Sequence, residues 1–497
     1  MVRSSTTTLL SLALGATAAL ACGDEHQFQR IRLERRAAAA SASSAAASAT
    51  HLATSSAARA AGAASASGAA AGAASESAAA ATVATPTRTD EASAAQITDP
   101  AQECIAYSYP PVAALIADGA FPEIWDIADL STAKSDVTDL FNSLNSSIPS
   151  IAPKGTPEGD FSSVNYDGNT DADCWWTWKQ CVTPKLEGLP ADVAHCPEPS
   201  TWGFTLDDGP NCSHNAYYDY LEEQKQKATL FYIGSNVVDW PLEAQRGLAD
   251  GHEICSHTWS HRYMTSLTNE QAFAELYYSK KAIKDVLGIT VQCWRPPYGD
   301  VDDRIRYIAN ALGMSTIIWS DNTFDYEIAT LSKSTVEKNY DDILAKAANG
   351  TFATQGTIVL THELNADTME LGEEYLPKIK SAFKYVVPVG VCQNNTNPYV
   401  EEGYTYPNFE QWASGTTSIS LAAPTAVSTD ASMSLPLSTG ASGSISATVG
   451  FASAAASTGA SSGSGGDNAA AGGKGLWEAM GAVVVGAVGA GAAAVLI

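Results

Sequence analysis

Five short segments carry residue types that could do acid–base or metal chemistry. Thr205-Leu206-Asp207-Asp208-Gly209-Pro210 sets two carboxylates side by side, and the Gly-Pro that follows forces a turn that fixes their direction. Adjacent carboxylates do not readily chelate one ion together, so a division of labour between Asp207 and Asp208 is natural. His257-Thr258-Trp259-Ser260-His261 spaces two imidazoles four residues apart. On a helical turn they share a face and can hold one divalent metal. Arg295-Pro296-Pro297-Tyr298-Gly299 is a proline-stiffened stretch whose backbone could offer an N–H to an oxyanion. Asp325 could pair with Arg295, and Leu360-Thr361-His362-Glu363 places another histidine just after an apolar run. Singly, each has an ordinary explanation: a surface turn, a stray His pair, a buried salt bridge at Arg295, a satisfied core histidine at His362. The chain has only eight His, however, and three fall in these segments.

The segments share a position, because most of them follow a short apolar run. Runs at 202–206, 228–233, 316–319, 357–360 and 385–387 read as strands. Amphipathic stretches at 269–287 and 334–348 read as helices between them. Buried apolar strands separated by helices imply a parallel sheet or barrel of the α/β class. In such folds the chemistry gathers at the C-terminal ends of the strands. The folded part is expected over about 98–405, with no internal repeat. Residues 98–196, irregular and Pro/Ser-rich, are expected to pack on the barrel as an extension.

In order and content the five segments resemble the five motifs of the polysaccharide deacetylases, the NodB-like carbohydrate esterase family 4. The resemblance spans about residues 200–390. It implies a distorted (β/α) barrel of the NodB type with one divalent metal ion, Zn2+ or Co2+, on Asp208, His257 and His261. It implies Asp207 as general base and substrate contact, and His362 as general acid. Tyr298 would bind the acetate oxygen through its backbone N–H, and Leu360 would line the acetyl methyl pocket. Arg295 would orient Asp207, and Asp325 would tune His362 or brace Arg295. Leu206 stands where Phe is common in the family, Tyr326 where Trp is usual, and Asn322 where Asp is frequent. These departures touch the shape of the groove rather than the ligands. The implied substrate is chitin or another acetylated polysaccharide, cleaved to acetate and an amine. An O-acetyl xylan esterase and a non-catalytic cell-wall protein are the alternatives, and the complete set of ligands, base and acid counts against the second.

The 497 residues hold 28 Lys+Arg against 54 Asp+Glu, a net charge of −26, which disfavours a nucleic-acid surface. Residues 1–21 read as a secretory signal: Arg3, the apolar run Leu9–Leu20, and the cleavage pattern Ala19-Leu20-Ala21. Residues 22–97 form an Ala/Ser-rich linker or pro-segment with a dibasic Arg35-Arg36. The NodB-like domain is drawn at 197–400, and a Ser/Thr/Ala/Gly-rich stalk suited to O-glycosylation at 401–475. At 476–497 an apolar tail ends the chain, behind the small triplets Ser464-Gly465-Gly466 and Asn468-Ala469-Ala470 and a spacer reaching Lys474. That layout is a GPI-anchor signal, so membrane attachment is expected only through the anchor. Signal, stalk and tail resemble those of fungal chitin deacetylases, acting as a monomer at the outer face of the plasma membrane and in the cell wall. Secretion favours disulfides, and of nine Cys eight remain once Cys22 is set aside. None has zinc-type spacing, so they are expected to pair with each other, in a connectivity the sequence leaves open.

Overall fold

The strand Thr201–Gly209 (β1) is buried along nearly its whole length, as a central strand of a parallel sheet must be. The computed structural model describes residues 87–421 and Val427. The expected signal, most of the linker, the dibasic pair, Cys22, most of the stalk and the apolar tail lie outside the described residues. β1 pairs through its C-terminal half with β2 (Thr229–Tyr232), and through its N-terminal half with β7 (Thr357–Leu360) and β8 (Tyr385–Val387), all in parallel. Beyond β2 come β3 (Glu253–Ser256), β4 (Cys293–Trp294) and β5 (Ser315–Thr316), and β7 carries β6 (Asp321–Asn322) on its far side. The eight-stranded sheet therefore runs β5-β4-β3-β2-β1-β7-β6, with β8 joined to β1. Its two end strands do not pair with each other, so the expected barrel is an open, half-closed one.

The two helices expected from apolar spacing form where it places them, and a third long one, Ala366–Ala382, joins them. Asn269–Leu287 starts at a Thr268–Gln271 capping box and stops at Gly288, which takes the left-handed conformation that only glycine adopts without strain. Lys333–Ala348 starts one residue before the expected position because Ser332 caps it. The run at 316–319 is different. Its strand ends at Thr316, Ile317 makes a bridge to Val193, and Asp321–Asn322 forms a separate short strand. No helix among the described residues is long and apolar enough to cross a membrane.

Both flanks of the sheet domain pack on it. In the extension, the Glu103 carboxylate accepts from the Asn215 N–H at 2.9 Å, and the Lys154 ammonium reaches Asp302 at 2.6 Å. On the other side Tyr404, Tyr406 and Phe409 are buried, and Glu401 binds Lys284 and Thr290. The packed chain thus continues past residue 400. Eight cysteines pair as Cys104–Cys212, Cys174–Cys181, Cys196–Cys392 and Cys255–Cys293. Cys196–Cys392 closes a separation of 196 residues, the largest of the four. Replacing both cysteines by serine is expected to lower stability by about 2–5 kcal/mol, read as an earlier midpoint in chemical denaturation.

Candidate active site

Asp207 and Asp208 end β1, and consecutive strand residues normally point to opposite faces. Here the pairing with β2 slips between Asp207 and Gly209, and Asp208 takes a φ of 70°. The bulge turns the second carboxylate toward the same mouth of the sheet as the first. His257 and His261 follow β3, but not on the helical turn expected from their spacing. The segment is a loop bent by left-handed residues at Thr258 (φ 65°) and His261 (φ 56°). Each such non-glycine residue costs roughly 1–3 kcal/mol and persists only where its surroundings fix it. The fixing group is Glu275, buried on the helix Asn269–Leu287. Its carboxylate accepts from the Trp259 N–H at 2.9 Å, the Ser260 N–H at 2.8 Å and the Ser260 hydroxyl at 2.6 Å.

These distortions bring Asp208, His257 and His261 to one point, with one ligand atom from each lying within 4.8 Å of the others. Asp208 Oδ1 stands 3.3 Å from His257 Nε2 and 3.1 Å from His261 Nε2. That oxygen is nonetheless buried and accepts no hydrogen bond. Three lone-pair atoms converging without a shared proton are what a cation would satisfy. With metal–ligand bonds of about 2.0–2.2 Å, tetrahedral ligand atoms lie about 3.4 Å apart, close to the spacing seen. The His257 tautomer agrees: Nδ1 sits 2.8 Å from the Arg295 carbonyl, to which it donates, which leaves Nε2 bare toward Asp208. Among the described residues, two other clusters of potential ligands, around Cys174–Cys181 and Cys255–Cys293, use sulfurs already committed to disulfides.

Asp207 lies beside this cluster, its Oδ2 3.8 Å from His257 Nε2. Its Oδ1 accepts from Arg295 at 2.6 Å, and the same guanidinium nitrogen donates to Thr205 Oγ1 at 2.9 Å. Arg295 is fully buried over the Phe231 ring at 4.0 Å, with Trp319 at 5.6 Å. Burial lowers its pKa against the opposing charge of Asp207.

Asp325 does not pair with Arg295. Its carboxylate accepts from His362 Nδ1 at 2.7 Å and from the His362 backbone N–H at 2.8 Å. Burial alone would lower the His362 pKa; the charge and hydrogen bond of Asp325, with Asp208 and Asp207, outweigh it and raise the value to about 9. Backbone hydrogen bonds from Asp207 N–H to the Thr361 carbonyl (3.0 Å) and from Glu363 N–H to the Asp207 carbonyl (3.1 Å) hold the two segments side by side. Tyr298 lies across the site with a left-handed φ of 58°, its ring edge-on to His261 at 4.7 Å. Leu360 ends β7, buried, its carbonyl accepting from Thr323. Tyr326 meets the His362 ring edge-on at 5.0 Å, and Asn322 reaches the Tyr326 hydroxyl at 3.4 Å.

The structure thus gathers Asp207, Asp208, His257, His261, Arg295, Asp325 and His362 at one mouth of the sheet, with Tyr298 and Leu360 beside them. Several partners were not read from the sequence: Thr205, Phe231, Trp319 and Glu275. Only Thr205 left a signal there, since it stands two residues before Asp207 and therefore faces the same way.

Residues 194–317 match the polysaccharide deacetylase family. The chain belongs to that family. It is 55% identical over 339 residues to chitin deacetylase 2 of Cryptococcus neoformans var. grubii, which covers 67% of this chain and 74% of that protein. It is 49% identical over 317 residues to the chitin deacetylase of Amylomyces rouxii, covering 62% of this chain and 74% of that one. Among solved structures, the chitin deacetylase of Colletotrichum lindemuthianum is 24% identical, with a TM-score of 0.40 over 42% of this chain and 96% of that one.

Proposed function

We propose that this protein hydrolyses the acetamide of N-acetylglucosamine units in chitin, releasing acetate and leaving chitosan. The observation that carries the reading is the meeting of Asp208 Oδ1, His257 Nε2 and His261 Nε2 between a carboxylate and an aspartate-bound histidine. The high identity to proteins named chitin deacetylases supports the substrate. Asp208, His257 and His261 would hold one divalent cation, zinc or cobalt, whose chemistry is to acidify water and polarise a carbonyl.

The chain's own groups divide the remaining work. Arg295 occupies Asp207 Oδ1, so Oδ2 is the oxygen that takes the proton of the attacking water. The Tyr298 N–H donates to the carbonyl oxygen as it gains charge. Leu360 lines the space for the acetyl methyl. Asp325 holds the proton of His362 Nδ1, which leaves the Nε2 proton to pass to the departing amine as the C–N bond breaks. The enzyme acts as a secreted monomer, tethered by a GPI anchor and working at the cell wall.

Acetate release from chitin oligomers tests the reading. Release is expected with the metal-loaded protein, lost with a strong chelator and restored by added zinc or cobalt. Release from acetyl-xylan but not from chitin would make the protein an O-acetyl esterase. No release from either would make it a non-catalytic binding protein.

A further inference from the structure

The turn that carries the Tyr298 N–H is gripped from outside the family-matched segment. Tyr298 (φ 58°) and Gly299 (φ 71°) are both left-handed, a pair of conformations that needs support from its neighbours. Much of that support comes from the extension. Trp176 packs so closely on Gly299 that a Cβ there would run into its ring, and its N–H donates to the Val301 carbonyl at 3.0 Å. Between them Asp300 is fully buried. Its carboxylate accepts from Trp175 Nε1 at 2.9 Å, Thr177 Oγ1 at 2.6 Å and the Thr265 N–H at 2.7 Å.

The ring of Tyr298 is fixed as well. It stacks on Tyr263 with centroids 4.0 Å apart and planes 6° apart. Phe161 meets Tyr263 edge-on at 5.3 Å, and Gly159 lies against the same ring with no room for a side chain. Trp176 also meets Trp319 edge-on at 4.8 Å, and Trp319 lies near Arg295. Gly159, Phe161, Trp175, Trp176 and Thr177 all precede residue 194, where the family match starts.

We propose that the extension segment 159–177 is a positioning element of the active site, which holds the Tyr298 backbone so that its N–H meets the developing oxyanion, with Trp176 as its central side chain. The inference rests on the acetamide-hydrolase reading. Trp176 acts through the turn and does not touch substrate. An oxyanion donor is effective only about 2.7–3.1 Å from the oxygen it serves, and a misplacement of about 1 Å can cost on the order of 10²-fold. Loosening the turn therefore lowers kcat while substrate binding, made elsewhere, persists.

The test uses the full-length, metal-loaded protein with chitin oligomers, comparing wild type with Trp176→Leu, Trp176→Phe and Thr177→Val. Trp176→Leu is expected to lower kcat by about 10- to 100-fold with KM nearly unchanged and metal content intact. Trp176→Phe, which keeps a ring on Gly299, should recover most of the loss. Thr177→Val removes one of the Asp300 hydrogen bonds and should shift kcat the same way by less. If Trp176→Leu does not fold, Thr177→Val decides. A folded, metal-replete Trp176→Leu with wild-type kcat would overturn the inference, as would a raised KM at constant kcat, which would make Trp176 a wall of the substrate groove. Wild-type protein that releases no acetate would instead remove the hydrolase reading, and the inference with it.

Discussion

Asp207→Asn is expected to reduce kcat for acetate release by about 10²–10⁴-fold, the range that removal of a general base produces. The substitution is nearly isosteric, and its carbonyl oxygen can still accept from Arg295 where Oδ1 now lies at 2.6 Å. The fold and the cluster of Asp208, His257 and His261 should therefore persist. What disappears is a basic oxygen at the Oδ2 position, 3.8 Å from His257 Nε2. The check is steady-state kinetics on chitin oligomers alongside metal content. Near wild-type turnover in a metal-replete Asp207→Asn protein would refute the assignment of the base. Loss of metal together with activity would place Asp207 among the ligands.

His362→Asn should cost a similar factor, about 10²–10⁴ in kcat, because the departing amine then leaves without its proton. The pH profile carries more information. His362 is raised to about 9, against burial, by Asp325 together with Asp208 and Asp207. A step that needs the protonated imidazole is complete below that value and is lost as pH rises through it. In Asp325→Asn the burial effect is opposed mainly by the two more distant carboxylates, so the alkaline limb should move to lower pH. A bound cation nearby lowers His362 in both proteins and leaves the sign of the difference unchanged. An alkaline limb that stays in place in Asp325→Asn would separate it from His362. A limb that moves upward would contradict the charge argument.

The chemistry of this site was largely legible because it lies in short segments, each tied to the end of a strand. The residue types of Asp207-Asp208, His257-x-x-x-His261 and His362 could be read directly, and the alternation of apolar runs with amphipathic stretches gave β1, β2, β7, β8 and two of the long helices, but neither β3 nor the helix Ala366–Ala382. What could not be read is how the backbone turns those residues to face one another. Four-residue spacing pointed to a helical turn at His257, whereas left-handed bends at Thr258 and His261, stapled by Glu275, do the work. The bulge that aims Asp208 comes from its pairing with β2 and has no local signature. The choice of Asp325 between Arg295 and His362 was open for the same reason, since it depends on how β6 and β7 lie side by side. Trp176 and Phe161 were invisible as site supports because they reach it across more than a hundred residues of chain, and contacts of that kind leave no periodicity.

The proposed chemistry depends on one divalent cation held by one carboxylate oxygen and two imidazole nitrogens. X-ray absorption spectroscopy of the zinc-loaded protein tests it most directly, with Asp208→Ala as the companion sample. One equivalent of zinc is expected, with a first shell of nitrogen and oxygen only at about 2.0–2.2 Å, imidazole outer-shell scattering, and a severe loss of affinity in Asp208→Ala. Sulfur scattering at about 2.3 Å, or full zinc binding in Asp208→Ala, would contradict it.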